Sequence, residues 1–362
     1  MNLIAIQDLP PPPVGKTGFP WTEAADSVHP LEANLPKISI ITPSFNQGQY
    51  IEATIRSILL QNYPNLEYIV IDGGSTDETV AILQKYDKWI YYWVSEPDDG
   101  QSDALNKGLA KATGTVFNWL NSDDYYLPNA LQTVGQAFKQ NDLLNVFCGR
   151  EVVLPPNALH PVTQPRNPTV VRPTLEETIA IGTIHQPPTF FRLSVFRQLG
   201  AVPTALYFCM DAALWLNYLT QFGLENIAQR DAILNVFRLH NHSKSMNSNA
   251  IYYSDRFNLL NALVQSSVLK KDFPQRFLKR QKTFNLYFEK KFNLERTNER
   301  LLLSYIAQQL LAYYSQWMSW RAFFELYFYA LSIGFWNRPA RLYFAPFIKW
   351  KRVFIPIPLN LD

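Results

Sequence analysis

The sequence predicts an α/β fold: a mixed, mostly parallel sheet flanked by helices, with a helical extension at the C-terminal end. Three observations predict it. From Lys37 to Leu120, short apolar runs alternate with amphipathic helical stretches, and such alternation implies parallel strands joined by right-handed crossovers. After about Ile251 the pattern gives way to long helical stretches rich in aromatic residues. At 362 residues, 47% hydrophobic and 17% charged, the chain is globular and long enough for one large domain or two.

The elements follow in order. Residues 1–36 form an extended arm or linker, because Pro10 to Pro13, Pro20, Pro30 and Pro36 remove backbone donors and fix φ. Trp21 is the candidate to pin that arm to the body. Residues 38–41 read as a buried strand. Residues 46–61 place Tyr50, Ile51, Ile55, Ile58 and Leu59 on one helical face, and Pro64 stops that helix. A strand over 66–71 ends at Asp72-Gly73-Gly74-Ser75-Thr76-Asp77, before a helix over 78–86. A strand over 90–94 ends at Glu96-Pro97-Asp98-Asp99-Gly100, before a helix over 102–111. A strand over 116–120 runs into Asn121-Ser122-Asp123-Asp124. Further on, the pattern predicts helices over 130–140, 175–181, 194–199 and 211–218. It predicts strands over 146–153, 189–192 and 232–239. Residues 155–173 read as a proline-rich surface loop and residues 240–249 as a polar loop.

A parallel sheet brings the ends of successive strands to one edge, where ligands of open α/β sheets bind. Asp72, Asp98 or Asp99, and Asp123 with Asp124 therefore converge there. Adjacent carboxylates repel unless a cation lies between them, and hard oxygen ligands suit magnesium or manganese. The alternative is a solvated turn in which Asp123 or Asp124 caps the next helix. Likewise Asp72 can serve the turn before Gly73-Gly74, and Asn106 and Lys107 can be a solvated helix face. No Gly-x-x-x-x-Gly-Lys loop and no Gly-x-Gly-x-x-Gly turn is present, so phosphate is not cradled in either of those ways. An acidic edge holds a diphosphate when a divalent cation bridges the two. That points to a metal-bound nucleoside diphosphate whose leaving charge the metal absorbs. A net charge of +3 makes no case for nucleic acid as a partner. Cys148 and Cys209 are the only cysteines, which leaves no disulfide framework or zinc cluster and fits a reducing compartment. No basic patch followed by an apolar core opens the chain, so a signal peptide is not expected and the location is expected to be cytoplasmic.

Six stretches in order carry a resemblance over residues 37–245. They are Ile40-Ile41-Thr42-Pro43-Ser44-Phe45-Asn46; Tyr68 to Asp77; Ser95 to Gly108; Leu120-Asn121-Ser122-Asp123-Asp124; His185-Gln186-Pro187-Pro188-Thr189-Phe190-Phe191-Arg192; and Met210-Asp211-Ala212-Ala213-Leu214-Trp215. Together they resemble a family 2 glycosyltransferase, inverting, of bacterial cell-envelope or exopolysaccharide type. The resemblance implies the GT-A fold, the Rossmann-like arrangement of nucleotide-diphospho-sugar transferases. It also implies roles. Thr42 and Pro43 would line the nucleotide base through backbone contacts, and Asp72 would hydrogen-bond the base, commonly uracil. Asp98 would be the second nucleotide-contacting carboxylate, with Asp99 as its less suited neighbour. Asn121-Ser122-Asp123 matches the family's Asp-x-Asp motif but departs from it at the first position. Asn keeps a hydrogen-bonding oxygen and loses the charge, which suits a ribose contact and leaves Asp123 as the main metal ligand. Asp124 either joins the metal or caps. Asp211 matches the catalytic base that takes the acceptor hydroxyl's proton as that oxygen attacks the anomeric carbon. The alternative for Asp211 is a carboxylate favoured by a helix N-terminus. His240 sits in a loop resembling one that closes over the diphosphate, as a metal or phosphate contact, and His185 would shape the acceptor side.

The expected function is metal-assisted transfer from a nucleotide sugar, UDP-linked, to a hydroxyl of a saccharide or lipid-linked saccharide, with Mn2+ or Mg2+. The rivals are a nucleotidyltransferase and a non-catalytic binding protein of the same fold. Against the first, the loop Pro43 to Gly48 has no Lys or Arg; against the second stand Asp123 and Asp211. The expected division is 1–36 as arm, 37–250 as transferase domain (nucleotide half 37–125, acceptor half 126–250) and 251–362 as the helical region. That last region has ten Lys or Arg against four Asp or Glu over residues 270–300. Residues 301–320 are uncharged but interspersed with Ser and Gln, which favours an amphipathic or buried helix over a membrane span. From residue 326 to 361 there is no acidic residue. Arg338, Arg341, Lys349, Lys351 and Arg352 lie there among Trp336, Tyr343, Phe344, Phe347, Trp350 and Phe354. Such a mixture suits the inner face of a membrane, or else a helical appendage packed on the main domain.

Overall fold

The computed structural model describes residues 4–24, 34–156, 158, 161, 164–166, 169–241, 243–244, 249–274, 288–314 and 320–332. Two compact units emerge. One comprises Met1–Thr169, Ile184–Thr204 and Glu225–Asn249; the other comprises Val170–Thr183, Ala205–Leu224 and Ala250–Asp362.

The first unit is built on one sheet. Its described strands are β1 (Ile38–Ser44), β2 (Leu66–Asp72), β3 (Tyr92–Ser95), β4 (Val116–Trp119), β5 (Tyr125–Tyr126), β6 (Val146–Leu154), β7 (Thr189–Arg192) and β8 (Ile227–Arg238). They lie in the order β3-β2-β1-β4-β7-β6-β8-β5. Strands β3, β2, β1 and β4 are mutually parallel and β6 runs parallel to β8, whereas β7 is antiparallel to both its neighbours and β5 to β8. The helices are α1 (Gly48–Leu59), α2 (Thr79–Tyr86), α3 (Gln101–Lys111), α4 (Ala130–Gln140) and α6 (Leu193–Gln198). A fifth helix in chain order, α5, belongs to the second unit. β1 is buried along its whole length, as expected of a strand covered on both faces. The side that α3 covers is so close that a Cβ on Gly108 would stand 2.7 Å from Ile41.

Most elements follow the expected boundaries within a few residues, the helix expected over 211–218 running on to Phe222, and two departures in the sheet stand out. β8 begins at Ile227 rather than 232, because the polar residues Gln229, Arg230 and Asp231 hide a strand that pairs with β6 from Val146↔Ile227 onward. β5 was not expected. It is two tyrosines long and exists because β8 pairs with it, Tyr125↔Val236 and Tyr126↔Asn235.

Part of the proline-rich arm is docked. Arg56 of α1 is fully buried. Its guanidinium donates to Pro20 O (2.8 Å), Pro10 O (2.8 Å), Trp21 O (3.0 Å) and Tyr86 Oη (3.0 Å), and it lies 5.5 Å from the Trp21 ring centroid. Leu9 is buried, and Ile4, Ile6 and Phe19 pack on the core. A buried guanidinium needs acceptors for its donors, and here the arm's carbonyls supply most of them.

The second unit is helical: α5 (Leu175–Ile181), α7 (Met210–Phe222), α8 (Asn249–Ser266), α9 (Glu299–Tyr314) and α10 (Trp320–Ser332). α9 packs on α5 and α10, and α5 on α7. Tyr314 Oη donates to Tyr253 O at 2.9 Å, Arg256 Nη2 to Ile181 O at 2.6 Å, and Glu176 Oε1 accepts Asn298 N at 2.7 Å. The first part of the uncharged stretch thus packs as a protein helix. Among the described residues no helix is long and apolar enough to cross a membrane. The basic and aromatic residues from Trp336 to Phe354 lie outside the described residues.

Candidate active site

The parallel register aligns Ser44, Asp72 and Ser95 at one edge of the sheet. Asp72 is fully buried. Its carboxylate accepts Ser75 N (2.9 Å), Ser75 Oγ (2.6 Å) and Ser95 Oγ (2.6 Å). A carboxylate has about four lone-pair sites, so one is left for a ligand. Thr42 is also fully buried and its Oγ1 takes Tyr68 Oη at 3.2 Å, which commits its side chain inward. The loop after β1 is tied to the loop after β2: Asn46 N donates to Ser75 Oγ, Thr76 N to Asn46 Oδ1 and Gly48 N to Asp77 Oδ2, all at 2.7–2.9 Å. Pro43 is buried at the root of that loop.

Asp98 accepts Gly100 N at 2.8 Å. Its carboxylate lies against the Gly73 backbone, where a Cβ would come within 2.8 Å of Oδ2. Burial pushes the Asp98 carboxyl above its ordinary range, against the pull of the Gly100 N–H and Lys107. Asp99 is exposed. Asn106 exchanges two hydrogen bonds with the Val202 backbone (3.0 and 2.8 Å), so its amide is committed there. Lys107 pairs with Glu96 and Asp103, each at 3.3 Å.

The end of β4 carries the densest polar cluster. Asn121 Oδ1 accepts Gln101 Nε2 at 2.7 Å, and Gln101 Oε1 accepts Lys244 Nζ at 2.8 Å. The buried Thr54 of α1 donates to Ser122 O at 2.8 Å. The two neighbouring carboxylates are treated differently. Asp123 is partly open and its Oδ2 lies 3.1 Å from His240 Nε2. Asp124 is fully buried; Oδ1 accepts Arg238 N at 2.9 Å and Oδ2 is without a hydrogen-bond partner. Burial first, then the Asp123 charge, pushes the Asp124 carboxyl well above the usual range. The Arg238 side chain donates to Asp123 O and, at 3.2 Å, to Tyr50 O. Its guanidinium lies 5.2 and 5.3 Å from the Tyr50 and Tyr125 ring centroids. His240 in turn stacks on Tyr50 with centroids 4.3 Å apart. The pairing of β8 with β5 delivers Arg238 and His240 to this point.

Among the described residues no three His, Cys, Asp or Glu side chains gather as a metal cage. Two donors do meet, Asp123 Oδ2 and His240 Nε2. Their polar atoms stand 3.1 Å apart. A carboxylate and an imidazole are donors that Mn2+ accepts. The pair could hold a divalent ion.

Strand β6 adds a second histidine. Glu151 is buried, and its Oε1 lies 3.2 Å from His185 Nδ1 and 3.3 Å from Arg166 Nη1. Gln186 Nε2 donates to Asn118 Oδ1 (2.7 Å) and Trp119 O (2.8 Å), which anchors the His185 backbone at the end of β4. Asp211 belongs to the second unit, in the first turn of α7, where Oδ1 accepts Ala212 N at 2.7 Å.

The sequence reading missed Arg238, Lys244, Gln101 and Glu151. Arg238 and Lys244 flank His240 and stood in view as basic residues on either side of it. Gln101 lay within the Ser95 to Gly108 stretch without a role, and Glu151 had no local signal, because its role comes only through its distant partner His185.

The class these features define is an α/β protein with carboxylates gathered at one edge of its sheet. Comparison with known proteins narrows it. Residues 39–200 match the model described as "Glycosyl transferase family 2". An uncharacterized glycosyltransferase of Rickettsia conorii is 28% identical over 304 residues, covering 76% of this chain and 47% of its own. TuaG of Bacillus subtilis, named for teichuronic acid biosynthesis, is 41% identical over 100 residues, 27% of this chain and 40% of its own. The chain spans less than half the length of these curated relatives. In structure, Staphylococcus aureus TarS 1–349, solved with UDP, superposes with a TM-score of 0.56 at 16% identity, covering 88% of this chain and 89% of that one. The fold is thus the GT-A type.

Proposed function

We propose that the chain is an inverting glycosyltransferase. It moves a sugar from a nucleoside diphosphate, UDP, to a hydroxyl of a saccharide or lipid-linked saccharide, assisted by Mn2+ or Mg2+. The observation that carries this reading is the Asp123–His240 pair at the end of β4, on the edge that also holds Asp72 and Asp98. Asp72, with one lone-pair site left, and the backbone of Thr42 and Pro43 receive the base. Asp98 and Asn121 receive the ribose, and Ser122 lies on the same segment. Asp123 and His240 hold the cation, which when bound neutralises charge on the departing diphosphate. Lys244, held by Gln101 beside Asn121, adds a second positive charge there. Asp211 takes the proton of the acceptor hydroxyl as its oxygen bonds to the anomeric carbon. The bond from that carbon to the phosphate oxygen breaks, and its electron pair leaves with the nucleoside diphosphate. His185, oriented by Glu151, lies on the acceptor side.

The test is a panel of nucleotide sugars with manganese, read as release of nucleoside diphosphate. Wild type is expected to release it from one donor class. Asp211→Asn is expected to lose at least about 100-fold in kcat while donor affinity holds. Pyrophosphate release would favour nucleotidyl transfer, and donor binding without turnover by wild type a binding protein.

We further propose that the C-terminal region meets the inner face of a membrane, in cell-envelope or exopolysaccharide assembly. On α10 Trp320, Phe324 and Phe328 recur every four residues, all exposed, with ring centroids 5.8 and 6.2 Å apart. Exposed aromatics of this kind suit the headgroup region, and the acid-free sequence that follows suits anionic lipid. Flotation with anionic vesicles should be lost when all three are changed to Ser; unchanged flotation overturns this part.

A further inference from the structure

We propose that Asp255, on α8, is a positioning residue for Asp211; this rests on Asp211 being the base. Asp255 lies in the second unit with Asp211 and is fully buried. Its Oδ2 accepts two consecutive backbone N–H groups, Phe208 N at 2.6 Å and Cys209 N at 3.1 Å. Those residues form the entry to α7: Cys209 is its N-cap, Met210 its first residue and Asp211 its second.

Burying a carboxylate is costly unless strong donors meet it, and a cation is the usual answer. Here two consecutive backbone N–H groups are among the donors that meet it. The first-turn N–H groups of a helix have no intrahelical partners, and Cys209 offers no side-chain cap. Without Asp255 the turn into α7 would lose the acceptor of two consecutive backbone N–H groups. Asp211 is the second residue of α7, so the placement of its backbone follows from how that turn is held. General-base catalysis is sensitive to such placement, because displacing a reacting group by about 1 Å can cost about 100-fold.

α8 is itself fixed from the far end of the chain. Tyr314 Oη of α9 donates to Tyr253 O, and its ring meets Phe257 edge-on at 5.7 Å. On α8, Arg256 Nη2 donates to Ile181 O of the α5 terminus. The C-terminal helices are thereby coupled through Asp255 to the residue that takes the proton.

The experiment compares Asp255→Ala, Asp255→Asn and Asp255→Glu with wild type in nucleoside diphosphate release, donor affinity and thermal unfolding. Asp255→Asn keeps an oxygen for both N–H groups and should stay within about threefold of wild type in kcat. Asp255→Ala should fall about tenfold or more in kcat with donor affinity unchanged. Asp255→Glu keeps charge and burial but displaces the oxygen by one methylene, and should also lose kcat selectively. It decides the matter if the Ala variant fails to fold. A folded Ala or Glu variant with wild-type kcat overturns the proposal, as does an equal loss in donor affinity and kcat. Asp211→Asn, assayed alongside, separates the two readings. If it is inactive, adding Asp255→Ala should cost nothing further, and a further multiplicative loss overturns the proposal. If it turns over like wild type, the base assignment fails, whatever Asp255 does.

Discussion

Two buried carboxylates stand at opposite ends of the same parallel strands, and they are served very differently. Glu67, near the amino end of β2, is saturated. Its oxygens accept Ser39 Oγ (2.6 Å), Thr113 N (2.7 Å) and Thr113 Oγ1 (2.6 Å), and Lys37 forms an ion pair with it. Asp124, after β4 at the carboxyl end, has one oxygen served and one without a partner, beside a second carboxylate. A buried polar group left unsatisfied costs about 1–3 kcal/mol, more for a charge. At Glu67 every oxygen is served, which stabilises the fold, whereas at Asp124 a buried oxygen is left unserved at a cost to stability.

Substitutions can break or sharpen that contrast. The largest effect is expected at the carboxyl end. Asp123→Ala should reduce kcat/KM on the order of 100-fold and abolish manganese-dependent donor binding, measured by titration with and without the metal. Unchanged manganese dependence would remove Asp123 from the cation site. Next, Arg238→Met removes the guanidinium packed against Asp123 and Asp124. A stability loss of about 3 kcal/mol in chemical denaturation is expected, with activity falling in parallel.

The same acid-to-amide change at the two ends should then give opposite outcomes. Glu67→Gln should cost about 2 kcal/mol at neutral pH, since bonds to a charged acceptor weaken, and leave donor KM unaltered. Burial alone would raise the Glu67 carboxyl, but its bonds from Lys37, Ser39 and Thr113 outweigh that and hold it below the ordinary range. A depressed folded value means stability is present above the unfolded value, about 4.3, and lost as pH falls through the folded one. Denaturation at pH 3 to 7 should show that loss in wild type and less of it in Glu67→Gln. Asp124→Asn keeps the oxygen that accepts Arg238 N and relieves repulsion from Asp123. Its stability should stay within about 1 kcal/mol of wild type. A larger drop would mean that Asp124 is held by charge rather than by that one bond.

Much of the donor edge was legible because its signals are local. Strand runs, turn residues and helical faces each sit within ten or so residues, and strand ends that share a direction must share an edge. So the placement of Asp72, Asp98 and Asp123 on one edge could be reasoned from order alone. The committed state of each could not. Asn106 read equally as a site residue or a solvated face, and its amide bonds the Val202 backbone instead, 96 residues away. The arm read as an arm or linker from its prolines, yet Arg56 gathers its carbonyls, because a buried guanidinium draws in whatever acceptors the fold brings near.

The sequence by itself determined the α/β alternation, the acidic strand ends and the match of residues 39–200 to the family model. Only the tertiary structure decided that Asp123 and Asp124, neighbours in the chain, take different parts. Arg238 reaches Asp124 from 114 residues on and His240 reaches Asp123 from 117. Side-chain chemistry is inherited from sequence, but desolvation and nearby charge are set by whatever the fold packs alongside, and those neighbours arrive from β8.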